Sequence, residues 1–178
     1  MVAEAYGPAA AASCAVARAP AEQIDALERE LAERVSRHPD AAILSGLPGL
    51  GPVLGARVLA EFADAPGRDA EARGRKSSAG TAPITRASGR SRVVVARHAR
   101  HRRLADACYP WAFCSLTQSP GARRYDDALR ARGKTNRQAL RQLANRWVGI
   151  LHGCLERRAA CQERIAWPRP EGSLTPTA

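Results

Sequence analysis

The clearest hydrophobic period in the chain runs from Ala21 to Arg37, where Ile24, Leu27, Leu31 and Val35 recur at steps of three and four residues. That spacing puts them on one narrow stripe of a helix over residues 21–38. The other faces are charged, and Asp25–Arg29, Glu30–Arg34 and Glu33–Arg37 are acid-first i,i+4 pairs, each adding a few tenths of a kcal/mol. A stripe this narrow suits a coiled-coil seam and equally an amphipathic helix lying on its own domain. Pro39 ends the helix. An apolar stretch follows over residues 43–63, broken by Leu47-Pro48-Gly49-Leu50-Gly51, and predicts two helices about a tight turn. Residues 65–78 have little period and read as a loop or weak helix.

Beyond Gly80 the pattern changes. Val93-Val94-Val95 reads as a short strand pairing back onto Ile84-Thr85, or as the opening of the next helix. Leu104, Cys108, Trp111, Ala112 and Ser115 share one face of a helix over 97–118, which Pro110 should kink. A further helix covers 120–132 and stops at Gly133. Thr135 and Gln138 are spaced for a capping box. It opens a helix that carries Leu140, Leu143, Trp147, Ile150, Leu151 and Cys154 on one side. Residues 1–20 read as a disordered leader and 166–178, with three prolines, as a disordered tail. The predicted fold is mainly α: a leading amphipathic or coiled-coil helix, a helix-hairpin-helix unit at 43–63, and a compact basic helical domain extending to 165 with one short β-hairpin.

Composition and charge narrow the function. Aromatic residues are 4% of the chain against 45% hydrophobic overall, so the core is expected mostly from Leu, Val, Ile and Ala. The net charge is +11, which predicts a polyanionic partner, nucleic acid first. Charge is also segregated: residues 72–105 hold ten Arg or Lys and no acid, and residues 128–155 hold six and none. Five cysteines, at 14, 108, 114, 154 and 161, include no C-x-x-C pair, which argues against zinc and against a disulfide framework. His98 and His101 lie among arginines, where a metal would be repelled. No apolar run approaches the ~20 residues that span a bilayer, so a cytoplasmic protein without membrane contact is expected.

Three features carry candidate chemistry. The Leu47–Gly51 turn fits a helix-hairpin-helix hairpin, in which backbone N–H groups near Gly49 and Gly51 face a phosphate without reading base sequence. A dinucleotide-binding loop is disfavoured because no strand precedes the glycines. The second feature is Thr85-Arg86-Ala87-Ser88-Gly89-Arg90-Ser91-Arg92. Its serine is ringed by arginines that can neutralise a phosphate, but the motif holds no base to activate it. A turn touching the DNA backbone is the plainer reading of these residues. The third is a basic set that includes Arg97, Arg100, Lys134, Arg137 and Arg141. If six such residues met phosphates, log K would fall against log salt with a slope of about −5. The acids are scattered among bases or paired within the first helix, so no metal site is predicted.

Taken as a series, Leu47-Pro48-Gly49-Leu50-Gly51-Pro52, Ala79-Gly80-Thr81-Ala82-Pro83-Ile84-Thr85-Arg86-Ala87-Ser88-Gly89, Arg103-Leu104-Ala105-Asp106-Ala107 and Leu129-Arg130-Ala131-Arg132-Gly133-Lys134 resemble the C-terminal half of the bacterial insertion-sequence "one-ten" family of transposases. The resemblance runs from about residue 21 to about residue 167. It implies that Ser88 is a nucleophile forming a covalent phosphoserine link to DNA. In the complete relatives an N-terminal RuvC-like DEDD domain binds Mg²⁺. The resemblance also implies assembly into dimers or tetramers and, in some members, a guide RNA. This chain has no counterpart of the DEDD domain, so it is expected to be a truncated DNA-binding fragment, inactive alone and with no cofactor of its own. Asp69, Arg75 and Ser78 replace residues that are apolar in relatives and should loosen the segment before Ala79. Two alternatives are a non-catalytic helix-hairpin-helix nucleic-acid-binding protein and an interaction fragment that joins a full-length transposase through residues 21–37.

Overall fold

The computed structural model describes residues 2–63 and 71–168, with the backbone alone for 2–5 and 63. Among the described residues the elements are α1 (Val2–Ser36), α2 (Ala41–Ser45), α3 (Pro52–Ala63), α4 (Ala72–Ser78), β1 (Ile84–Ser88), β2 (Ser91–Val95), α5 (Arg102–Gln118), α6 (Pro120–Ala131), α7 (Asn136–Arg157) and α8 (Glu163–Ala166). The mainly α fold with one β-hairpin is therefore as expected.

The leader is not disordered: α1 is one helix from Val2, with Pro8 and Pro20 inside it. Its first half is alanine-rich, and alanine is the strongest helix former. That local preference carries the helix upstream of the period that announces it. Every described side chain from Tyr6 to Glu30 is exposed. Only the last turns, from Leu31, settle beside α3.

The core is centred on tryptophan rather than on aliphatic residues alone. Trp111 of α5 and Trp147 of α7 are fully buried, with ring centroids 5.7 Å apart. Trp167 closes the cluster edge-on to Trp147 at 5.4 Å. This corrects the expectation that the chain loosens from residue 166. Trp167 lies against Gly121, where any Cβ would collide with the indole. Glu163 fixes the same segment by accepting from Ser119 Oγ at 2.9 Å and from the Gly121 N–H at 2.8 Å. Three rings large enough to bury ~150–250 Å² each explain how a chain so poor in aromatics builds a core. Residues 169–178 lie outside the described residues.

Leu104, Cys108, Trp111, Ala112 and Ser115 are all buried, so the period read from the sequence holds, although α5 begins at Arg102 and residues 97–101 are not helical. Helix α5 runs continuously through Pro110. The Thr135–Gln138 capping box forms at the start of α7, after Gly133 with φ +76°. Buried Asp126 accepts from Arg130 Nε at 2.7 Å, and that guanidinium goes on to donate to Asn136 Oδ1 at 2.6 Å. The α6–α7 corner is thus tied on both sides.

The segment before Ala79 is an ordered helix, α4, packed on α7. Lys76 lies across Gly149, where a Cβ would come within 2.8 Å of its ammonium. Arg75 is half-buried with its guanidinium over the Phe62 ring, 5.1 Å from the centroid. A stacked guanidinium of this kind costs far less than a bare buried charge, which is why the expected loosening does not follow. Asp69 lies outside the described residues. Among them, no helix is long and apolar enough to cross a membrane.

Candidate nucleic-acid interface

Strands β1 and β2 form an antiparallel hairpin in which Ile84 pairs with Val95, Thr85 with Val94, Arg86 with Val93, Ala87 with Arg92 and Ser88 with Ser91. The two-residue loop is Gly89-Arg90. Gly89 has φ +56° and Arg90 does not enter the positive region, the arrangement of a type II′ turn with glycine first. The base of the excursion is closed by the His101 N–H, which donates to Ser78 O at 2.8 Å. Only Ile84 and Val95, at the base, are half-buried; every other strand residue is exposed.

Ser88 stands at the exposed tip. Side chains alternate across a strand, so the register puts Arg86 on the face of Ser88 and Arg92 on the opposite face, with Arg90 in the turn. The three arginines that ring the serine in the sequence therefore divide: one lies beside the hydroxyl, one caps the loop, and one points away.

The acid-free segments converge at the foot of the hairpin. A cleft of about 320 Å³ is lined by Gly80, Thr81, Arg100, Tyr109, Arg137 and Arg141, together with Ala79, Ala105 and Ala144. Arg100 comes from the segment between β2 and α5, Tyr109 from α5, and Arg137 and Arg141 from successive turns of α7. Gly80 has φ +68°, and a Cβ there would collide with the Arg100 side chain, so only glycine lets Arg100 fold across the cleft. Thr81 Oγ1 is anchored 3.1 Å from Lys76 O and 3.2 Å from Asn145 Oδ1. No acid lines the cleft. Arg97 is half-buried beside it, its carbonyl accepting from Arg100 at 3.2 Å. Lys134 is exposed in the α6–α7 turn and does not line the cleft.

The glycine turn lies elsewhere, against α1, α2 and α5. Gly49 is buried with φ +84°, and a Cβ there would stand 2.5 Å from Ser115 N. Its N–H donates to Gln118 Oε1 at 2.8 Å, and Pro48 O accepts from Trp111 Nε1 at 2.9 Å. Gly49 thus faces protein, whereas Gly51 is exposed with open space around it. Tyr109 was not among the residues singled out from the sequence. The signal for it was there: it falls off the buried α5 face that Cys108, Trp111 and Ala112 define.

Burial pushes the Cys108 thiol up to about 12 and the Cys161 thiol up to about 11, and raises that of Cys154. These three stay protonated near neutral pH and are therefore poor nucleophiles. Among the described residues no group of three or more His, Cys, Asp or Glu is placed to hold a metal ion.

Residues 41–127 match the model of the family described as Transposase IS116/IS110/IS902. The chain is 45% identical over 143 residues to the IS117 mini-circle protein of Streptomyces coelicolor, covering 80% of this chain and 34% of that protein. It is 36% identical over 147 residues to the 42 kDa protein of insertion element IS900 from Mycobacterium paratuberculosis, covering 78% of this chain and 37% of that one. The 43.6 kDa protein of IS110 from Streptomyces coelicolor is 35% identical over 137 residues, covering 75% and 33%. The chain spans about a third of the length of these relatives. With a family match that takes in the glycine turn, the serine hairpin and the start of α6, and with similarity continuing beyond it, the chain belongs to the IS116/IS110/IS902 transposase family.

Proposed function

We propose that this chain is the DNA-contacting, serine-bearing part of an insertion-sequence transposase, working together with a metal-binding domain. The observation that carries the reading is Ser88 at the exposed tip of a hairpin, with Arg86 on its face and a cleft walled by three arginines at the hairpin's foot. In the step itself, Ser88 Oγ attacks phosphorus and a new P–O bond forms. The P–O bond to one neighbouring deoxyribose breaks, and its departing oxygen takes up a proton. Arg86 and Arg90 neutralise the charge growing on the non-bridging oxygens. The serine proton leaves to a base outside the Thr85–Arg92 motif, which holds none. Arg97, Arg100, Lys134 and Arg137 hold the DNA backbone. Any phosphate contact of the glycine turn falls to Gly51 and the first amides of α3, because the Gly49 amide is already engaged.

The test is incubation with element-end DNA, with and without a full-length relative and Mg²⁺. A covalent protein–DNA adduct that forms with the relative and disappears in Ser88→Ala supports the reading. DNA binding indifferent to that substitution, with no adduct under either condition, leaves a non-catalytic binding protein instead.

The exposure of the α1 stripe supports a second role. Ile24 and Leu27 are 54% and 64% exposed, so the seam is open for a second helix. Residues 21–37 would pair with another copy or with a full-length transposase. Sedimentation of the whole chain should show a concentration-dependent oligomer that Leu27→Glu abolishes; a strict monomer overturns this role.

A further inference from the structure

We infer that the cleft at the foot of the hairpin receives an unpaired nucleotide, its phosphate on Arg100, Arg137 and Arg141 and its base against the exposed rings of Tyr109 and Phe113. This deepens the nucleic-acid reading above and rests on it.

The charge comes first. Three guanidinium groups line one cleft with no carboxylate among the lining residues. Like charges held together without counter-charge favour an anion. The cleft's volume of about 320 Å³ is at the small end of small-molecule sites, suited to one nucleotide rather than a duplex.

The aromatics decide the rest. The chain has three Trp, three Tyr and two Phe. All three tryptophans are buried, yet Tyr109 and Phe113 are 40% and 60% exposed. They stand four residues apart on α5, one helical turn, so they lie on the same face, and Tyr109 lines the cleft. Two exposed rings on one face of α5, one of them lining a cationic cleft, suit a ligand with both an anionic and a flat apolar part. Phosphate contacts alone would use the arginines and leave the rings idle. A duplex hides its base faces in the stack, whereas an unpaired strand offers them to aromatic side chains. Ser88 stands at the far end of the hairpin, one strand length of roughly 13–17 Å away. A nucleotide held at the foot would therefore fix the register of the strand that passes the hydroxyl.

The test is binding of the full chain, by fluorescence anisotropy, to a duplex, to the same duplex with one unpaired 2-aminopurine, and to single strands of the same sequence in DNA and in RNA. The unpaired forms should bind about ten-fold tighter than the duplex, the size of one stacked base, with the 2-aminopurine emission changing on binding. The DNA and RNA arms show which strand supplies the nucleotide. Tyr109→Ala and Phe113→Ala should each reduce that preference about five-fold or more, while Tyr109→Phe retains it. Arg141→Ala should lower the salt slope by about 1 for every strand. Equal affinity for paired and unpaired forms, or an equal loss across all of them in Tyr109→Ala, overturns this inference and leaves DNA binding standing. No binding to any strand overturns the DNA-binding reading, and this inference with it.

Discussion

Trp147 and Val94 mark the ends of a scale within this chain. The Trp147 ring is fully buried, stacks near Trp111, meets Trp167 edge-on and donates to Ser115 Oγ at 2.7 Å. Val94, on β2, is 62% exposed, and its hairpin packs through its base alone. The helical core pairs the Trp111 and Trp147 indole N–H groups as it buries their rings. The hairpin leaves valines and arginines in water, although an isolated two-stranded hairpin is marginal on its own. In this molecule the packed helices hold one another, and the hairpin stands out from them into water.

The contrast can be broken by measuring stability, and the largest effect is expected in the core. Trp147→Ala should cost about 3–5 kcal/mol in denaturant unfolding, while Val94→Ala should stay within about 0.5 kcal/mol. Equal costs would mean that the hairpin is packed after all. Next comes Arg130→Ala. It strips the partner from a carboxylate that is wholly buried, whereas the Arg130 side chain is 46% exposed. The loss should be about 2–3 kcal/mol, below the range for a fully buried pair, and Arg86→Ala on the hairpin should cost almost nothing.

The two glycines of the turn make a finer comparison. Gly49→Ala meets both a positive φ and the α5 backbone, so a loss of about 1–3 kcal/mol is expected. Gly51→Ala enters open space and should change thermal stability by no more than about 0.5 kcal/mol. Buried thiols give the core a pH signature that the hairpin lacks. With Cys108 at about 12 folded against 9.0 for the free thiol, the unfolded chain releases its proton first. The stabilising term is then complete below pH 9 and is lost as pH rises towards 12. Its contribution to the slope is at most about 1.4 kcal/mol per pH unit, and Cys108→Ala should lower the slope by that share while Cys154 and Cys161 keep theirs. The smallest effect belongs to Ser88→Ala: unfolding should be unchanged within error, because the hydroxyl is exposed at the hairpin tip. A measurable loss there would show that the serine supports the fold.

What was legible in the sequence was local. The buried α5 face, the capping box at Thr135 and the stop at Gly133 each depend on residues a few positions apart. Periodicity and turn chemistry report such relations directly. The pairing of Val95 with Ile84 stands open in the sequence against a helix start, and only the register decides it. The division of the arginines around Ser88 was not legible. In the string Arg86, Arg90 and Arg92 are equal neighbours of the serine, and only the strand register decides which shares its face. The leading helix was missed upstream of residue 21 because its first half has no apolar stripe, only alanine preference.

By itself, then, the sequence determined the helical class, the basic segments and the serine motif, all of them properties of neighbouring residues. Tertiary structure decided the rest. It folded Trp167 back from a proline-rich end onto Trp147, and it turned Gly49 inward so that its amide serves Gln118. It also gathered Arg100, Tyr109 and Arg141 into one cleft from three separate segments. Contacts of that kind depend on which helix faces meet once apolar area is buried, and no short-range pattern along the chain records them.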